Sequence, residues 1–390
     1  MAKTLFKSAV IAAIGVAALA STANAGGFSR GEADTDILYE KDAFILRAGG
    51  VYVMPDRAYE TTAGRASTDG DFIDNYWIPS VAAKVKISDR LACAFTYTQA
   101  FGADATYGAS ARTAYLLAGN TPYASKGFDS NEYGATCDVN FEAGPGNLHV
   151  IAGGFMQDFS YTAVAATANN IYIGTLQLDD SSSFGYRLGL GYEIPEYALR
   201  AQLLYRSQVD HTTNSGSFVV GPGGLSRFPV AVGTILPASG YGSLPQSLEL
   251  SLQTGVAPGW LVYGSVKWTD WSVLKALNYR IATTNFQDVY NWKDGWTVQA
   301  GVGHAFTDTV SGTVNLTYDS GVGTGADIAT DTWTMAAAAI IKAGPGELRL
   351  GGGISYLTAG SQSTRQSAAF NATAGDDWSY SIGSSFTLKF

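Results

Sequence analysis

Cysteine is almost missing from this chain. Only Cys93 and Cys137 occur in 390 residues, too few for a disulfide-stapled scaffold or a four-ligand structural zinc site. Histidine is nearly as scarce. His149, His211 and His304 are scattered, and although His211 has serines nearby, no Ser–His or Cys–His arrangement supports a nucleophilic enzyme. No metal-ligand spacing occurs, and no helical pattern follows the glycine-rich stretches, so a phosphate-binding loop is excluded and no cofactor is expected. Basic clusters are also absent. Beyond residue 25 the chain has 22 Lys and Arg against 33 Asp and Glu, a formal charge of −11, which excludes nucleic acid and anionic-lipid surfaces as partners. Charged residues total only 15%, less than a soluble all-β enzyme of this size usually carries. Long apolar runs are missing too: the longest outside the leader is Met335 to Ile341, against the roughly 20 residues a membrane-crossing helix needs.

What is present points elsewhere. Residues 1–25 combine Lys3 and Lys7, an apolar stretch from Ala9 to Ala20, and Ala23-Asn24-Ala25, the three parts of a secretory signal peptide. Glycine is abundant at 46 residues and aromatics make 12%. The segment YSIGSSFTLKF, Tyr380 to Phe390, alternates apolar residues with small or polar ones, and this pattern recurs. Fourteen candidate strands lie near 43–54, 75–88, 91–102, 130–142, 147–160, 181–193, 197–210, 245–257, 260–274, 290–304, 309–320, 331–342, 347–358 and 378–390. Their connectors alternate between tight turns, including Ala-Gly-Pro-Gly at 143–146 and again at 343–346, and long loops. An even strand number with short turns on one rim and long loops on the other predicts an all-β fold, a transmembrane antiparallel β-barrel of about fourteen strands in the bacterial outer membrane. Aromatics recur eight to ten residues apart on one parity: Trp260 with Trp268, Tyr133 with Phe141, Phe184 with Tyr192, Tyr380 with Phe390. At about 3.4 Å per residue and a tilt near 40°, that spacing matches the roughly 25 Å apolar band between two aromatic girdles. The expected division is signal peptide 1–25, N-terminal plug segment 26–42 and barrel 43–390.

The stretches LPQSLELSLQTGVAPGWLVYGSVKWTDWSVL (244–274), GWTVQAGVGHAFTDTVSGTVNLTYDSGV (295–322) and GGFSRGEADTDILYE (26–40) resemble the FadL-type outer-membrane transporters of long-chain fatty acids and, in relatives, aromatic hydrocarbons. The resemblance implies a fourteen-strand barrel, a lumen plugged by the N-terminal segment, and passive lateral delivery of a hydrophobic substrate. Here only about seventeen residues precede the first strand, and the family's Asn-Pro-Ala turn is missing, so a short plug peptide is expected in place of a folded hatch.

Within the N-terminal peptide, Phe28, Arg30, Asp34 and Asp36 are the residues expected to plug the pore, with Glu32 adding charge and Ile37, Leu38 and Tyr39 adding apolar surface. A disordered periplasmic leader is the alternative. The connector 211–244 is unusually apolar for a loop in water. Phe218, Val220, Leu225, Phe228, Val230 and Ile235 are its candidate substrate-binding residues, backed by apolar residues of 161–180; the same residues could simply pack the two loops together as a lid. Arg187, Arg200, Arg206, Lys267 and Lys342 fall on the polar, lumen-facing parity. Arg206 and Lys267 are the candidates to hold a substrate carboxylate, and pairing with lumen acids such as Glu249 is the alternative. Cys93 and Cys137 lie on neighbouring strands at the lipid-facing parity, and two unpaired thiols are the plainer expectation. Lys389 should point to the lumen or its rim, where replacement by serine should be nearly silent. The terminal Phe390 resembles the signal read by the barrel-assembly machinery. The reading is a monomeric, cofactor-free channel, surrounded by outer-membrane lipid, that takes up a hydrophobic small molecule, a long-chain fatty acid in the first place and an aromatic hydrocarbon as the alternative within the same family. A surface barrel binding host or phage ligands and a general porin are the alternatives, and the apolar loops disfavour the porin.

Overall fold

A computed structural model describes residues 26–323 and 328–390; the expected signal peptide lies outside the described residues. Eighteen strands form one sheet: β1 Phe44–Asp56, β2 Tyr76–Lys86, β3 Leu91–Thr106, β4 Tyr123–Ala143, β5 Gly146–Ala166, β6 Tyr172–Ile194, β7 Leu199–Arg206, β8 Val209–Val220, β9 Ile235–Leu244, β10 Ser247–Ala257, β11 Trp260–Thr269, β12 Ala276–Ile281, β13 Thr284–Val289, β14 Gly295–Ala305, β15 Val310–Asp319, β16 Thr332–Ala343, β17 Gly346–Leu357 and β18 Asp377–Lys389. Fourteen of them, all except β8, β9, β12 and β13, close into an antiparallel barrel. The seam runs from Ile45↔Lys389 to Asp56↔Trp378, and Phe44 and Phe390 exchange backbone hydrogen bonds below it. Closure leaves the wall without a long free edge, which a sheet in hydrocarbon requires.

Alternation sorts each strand into two faces. On β18, Trp378, Tyr380, Ile382 and Phe386 point outward and are exposed, while Ser379, Ser385 and Thr387 are buried in the lumen. Trp260, Tyr133, Phe141 and Phe184 also stand on the outer face, so the aromatic spacing does belong to the lipid-facing surface. On the short-turn rim, Gly144 and Gly344 take φ of 62° and 58° at the first loop position of their hairpins. Glycine adopts that conformation without steric cost.

The outer rim departs from expectation. The stretch 211–244 is mostly an ordered hairpin, β8 and β9, in place of a loop. β8 also pairs with the top of β6 through Ser217–Val220 and Gly174–Gln177, and β9 continues to β12 and β13. The wall therefore rises above the membrane on this side. These strands have no lipid to face, so they need no apolar outer parity, and the membrane-type alternation is missing from their sequence. Above the lumen, helix α1, Ala109–Leu117, packs with Tyr59, Phe72, Tyr107 and Phe370 to form an outer cap. Cys93 and Cys137 are partners in the β3–β4 ladder and are joined by a disulfide, which corrects the expectation of free thiols. Their parity alone was compatible with either state; the register, invisible in sequence, brings the two Cα atoms to 4.0 Å.

Candidate functional site

The N-terminal segment lies inside the barrel, and its charges determine where. Arg30 donates to Gln99 at 3.0 Å and pairs with Asp104 at 2.7 Å. Glu32 pairs with Lys267, Asp34 with Arg47 at 2.6 Å, and Asp36 with Arg200 at 3.0 Å. Glu40 then binds Arg47 at 3.0 Å and Lys389 at 2.9 Å. The acids of one short peptide are thus matched to cations on β1, β7, β11 and β18. For the pairs least exposed on both sides, Arg47 with Asp34 and with Glu40, removing one partner costs about 3–5 kcal/mol, because the other charge is left buried. Lys389 does face the lumen, but its pairing with Glu40 means that serine there would not be silent.

The same segment replaces part of the wall. The β2–β3 ladder runs from Lys86↔Ala92 to Ser80↔Thr98 and stops. Above it, the five consecutive residues Thr98 to Gly102 are all buried, so alternation fails and β3 turns into the lumen. A register shift between Gln99 and Phe101 marks the bend. The backbone groups that β2 leaves unpaired are taken by the N-terminal segment: Arg30 N–H donates to Ala100 O at 3.0 Å, Gly31 N–H to Gln99 O at 2.8 Å, and Gly102 N–H to Phe28 O at 2.9 Å. Gly31 is needed for this approach, since a Cβ there would lie 2.2 Å from Thr98 Oγ1. The result is a lateral break between β2 and β3, covered from inside by the N-terminal segment.

Above the segment is an apolar cavity of about 190 Å³, lined by Phe28, Phe72, Phe128, Tyr161, Tyr290 and Trp292. Phe28 sits among rings, with centroids 4.5 Å from Trp292, 4.8 Å from Phe128 and 5.4 Å from Tyr290. The wall also carries Lys126, which pairs with Asp288 at 3.0 Å; the same carboxylate accepts from the Tyr161 hydroxyl at 2.8 Å. Below, a more polar cavity of about 230 Å³ follows residues 30–36 and includes Glu249 and Lys267.

The candidate residues of 211–244 separate. Phe218, Val220 and Phe228 are buried in the cluster that contains Phe28, Phe128 and Trp292, and Val230 packs against it. Leu225 and Ile235 instead face outward, Ile235 being 67% exposed. Neither Phe218 nor Phe228 lines the cavity, but both pack in the apolar cluster that supplies Phe128, Tyr161, Tyr290 and Trp292 to its wall, so Phe218→Ser combined with Phe228→Ser should loosen that wall from behind. Each buried aromatic contributes about 1.5–3 kcal/mol, so the affinity for an apolar ligand is expected to fall at least about tenfold, measured by fluorescence titration. The barrel should persist as a heat-modifiable band on gels, and unchanged affinity would remove these rings from the site.

Arg206 and Lys267 both point into the lumen, and both have protein partners. Arg206 shares Glu132 with Arg187, at 2.9 Å on its own side. Lys267 holds Glu32, and Glu249 stands opposite it in the β10–β11 ladder. These three cations and three acids line one small pocket together with Phe101. The sequence reading missed Asp104, Lys126, Glu132 and Asp288. Their polar-face parity was legible, but the partners lie far away in sequence. Among the described residues no group of three or more potential metal ligands stands together.

A closed barrel with an apolar upper lumen, an internal peptide plug and a lateral gap defines an outer-membrane channel for hydrophobic compounds. The family described as outer membrane protein transport protein (OMPP1/FadL/TodX) matches residues 13–321, and the chain belongs to it. It is 26% identical over 320 residues to a long-chain fatty acid transport protein of Salmonella typhi, covering 76% of this chain and 72% of that one. The Escherichia coli K12 long-chain fatty acid transport protein is 27% identical over 332 residues, with the same coverage. A Pseudomonas aeruginosa FadL homologue shares the fold at a TM-score of 0.73 and 14% identity, covering 92% of this chain and 94% of that one. The Pseudomonas putida toluene transporter TodX does so at 0.60 and 14%, covering 91% and 92%.

Proposed function

We propose that this protein is a passive outer-membrane channel for hydrophobic compounds, with long-chain fatty acids as its main substrate. The β2–β3 gap carries this reading: a polar solute gains nothing from an opening toward lipid, whereas an apolar one partitions through it. Substrate first meets the exposed apolar residues of the outer rim, Ile171, Leu225 and Ile235, and then enters the aromatic cavity. Movement of the N-terminal segment away from β3 opens the gap, and the substrate leaves sideways into the membrane. Relatives that carry the name of long-chain fatty acid transport protein support the substrate class.

A carboxylate needs a cation, and Arg47, Arg187, Arg200, Arg206 and Lys267 each already have a protein partner. Of the cations paired with the N-terminal segment, Lys267 is the one that shares a pocket with Phe101 at the bend of β3, so the substrate carboxylate takes the place of Glu32 there. Glu32→Gln should free Lys267 and tighten fatty acid binding. The double variant Glu32→Gln with Lys267→Met removes the pair without orphaning either charge, and should weaken fatty acid binding at least about tenfold, about 1.4 kcal/mol. Toluene binding should be unchanged in the double variant. Equal loss of both ligands would refute the exchange at Lys267.

A second reading, a channel for neutral monoaromatic compounds, is favoured by the cavity itself. Its volume of about 190 Å³ and aromatic lining suit a single ring, since an apolar cavity of about 150 Å³ is enough for benzene. Tighter binding of toluene than of fatty acid by the unaltered protein would favour it.

A further inference from the structure

One acid next to the N-terminal segment lacks a cation. Asp319, the last residue of β15, is only 2% exposed. Its Oδ2 accepts from the Thr297 hydroxyl at 2.6 Å, but Oδ1 has no hydrogen-bond partner. Lys267, the lumen cation of the neighbouring cluster, is committed to Glu32. A buried carboxylate with neither proton nor countercharge is costly, and Asp34 and Glu40, the least exposed of the segment's paired acids, avoid that cost by pairing with Arg47.

What lies against Asp319 is Gly26. A Cβ built on Gly26 would stand 3.0 Å from Oδ1 and 3.4 Å from Oδ2, so the carboxylate occupies the side of Gly26 where a side chain would be. Gly26 is itself buried, and Gly27, at φ 59°, is held between Trp271 and Trp292. Cleavage after Ala25 would convert the Gly26 nitrogen from a neutral amide into a primary amine. With an unperturbed pKa near 7.7–8.0, this amine is mostly protonated at neutral pH.

We propose that the new α-ammonium group of Gly26 is the missing partner of Asp319, so that removal of the leader completes the seating of the plug. This inference rests on the reading of residues 1–25 as a cleaved leader and is independent of the substrate. In the uncleaved chain the same atom is an amide with a single donor and no charge, so the carboxylate stays unpaired and the segment is held less tightly. The first ion pair of the segment then exists only in processed protein.

The test uses mature, folded protein in detergent and an amine-selective acylating reagent at neutral pH, with the labelled N-terminal peptide quantified by mass spectrometry. The wild-type α-amine should react at least about tenfold more slowly than in D319N. Insertion of one serine between Ala25 and Gly26 moves the amine by about 3.5 Å and should raise its reactivity similarly, with Asp319 intact. Combining the two changes should add nothing, since each removes the same pair. Should D319N fail to fold, the insertion variant alone decides. Equal α-amine reactivity in wild type and insertion variant, or an N-terminus found at any residue other than Gly26, would overturn the proposal.

Discussion

With cysteines in place of Ser29 and Phe101, fatty acid uptake stops under oxidising conditions and returns on reduction. Ser29 and Phe101 form an antiparallel bridge between the N-terminal segment and the inward bend of β3. The flanking bonds, Arg30 N–H to Ala100 O and Gly102 N–H to Phe28 O, make it a non-hydrogen-bonded pair. Such pairs have Cα atoms about 4.5 Å apart, within disulfide reach. The cross-link would hold the peptide across the β2–β3 gap and block the only step that the proposed route requires to move. Uptake into liposomes should fall to the level of protein-free vesicles, and the reduced double variant serves as the reference for the lost Phe101 ring. The native bridge between Cys93 and Cys137 is on the outer face, so unaltered protein with and without reductant controls for it. Full uptake through a cross-linked barrel would mean that substrate does not pass this gap.

Ile382→Arg should destabilise the barrel by about 2–4 kcal/mol, the cost of a charged side chain on the lipid face near the bilayer midplane. Ile382 is near the middle of β18, points outward and is 63% exposed. Trp378→Arg, at the outer end of the same face, should cost only about 0–1 kcal/mol, because arginine reaches the interface there. Guanidinium titration in lipid vesicles measures both. Equal small costs at the two positions would place β18 in the wrong register or on the wrong face.

Legibility from sequence followed the environment of each segment. β18 and β11 could be read directly, because lipid outside and a packed lumen inside impose a period of two on every membrane-crossing strand. β8, β9, β12 and β13 could not, because they rise into water and have no such constraint. The bend of β3 was hidden for a related reason. Thr98-Gln99-Ala100-Phe101-Gly102 looks like the end of an ordinary strand, and only the N-terminal segment that pairs with it shows why five adjacent residues are buried. The apolar residues of 211–244 were recognised as a group, but their division into interior Phe218 and Phe228 and exterior Leu225 and Ile235 follows from hairpin geometry.

The sequence by itself determined the class: a chain with few charges, abundant glycine and aromatics, alternating segments and two kinds of connector can satisfy its backbone in a membrane only as a closed barrel. Those signals are local, a matter of which side chains meet lipid, lumen or water a few residues apart. The tertiary structure alone decided which charges meet. Glu32 with Lys267 and Asp36 with Arg200 are separated by 235 and 164 positions, and no local pattern encodes such a pairing. Buried charge is expensive enough that each partner must be placed by the closed wall, so the seating of the N-terminal segment and the ion pairs around it exist only once the barrel has closed around them.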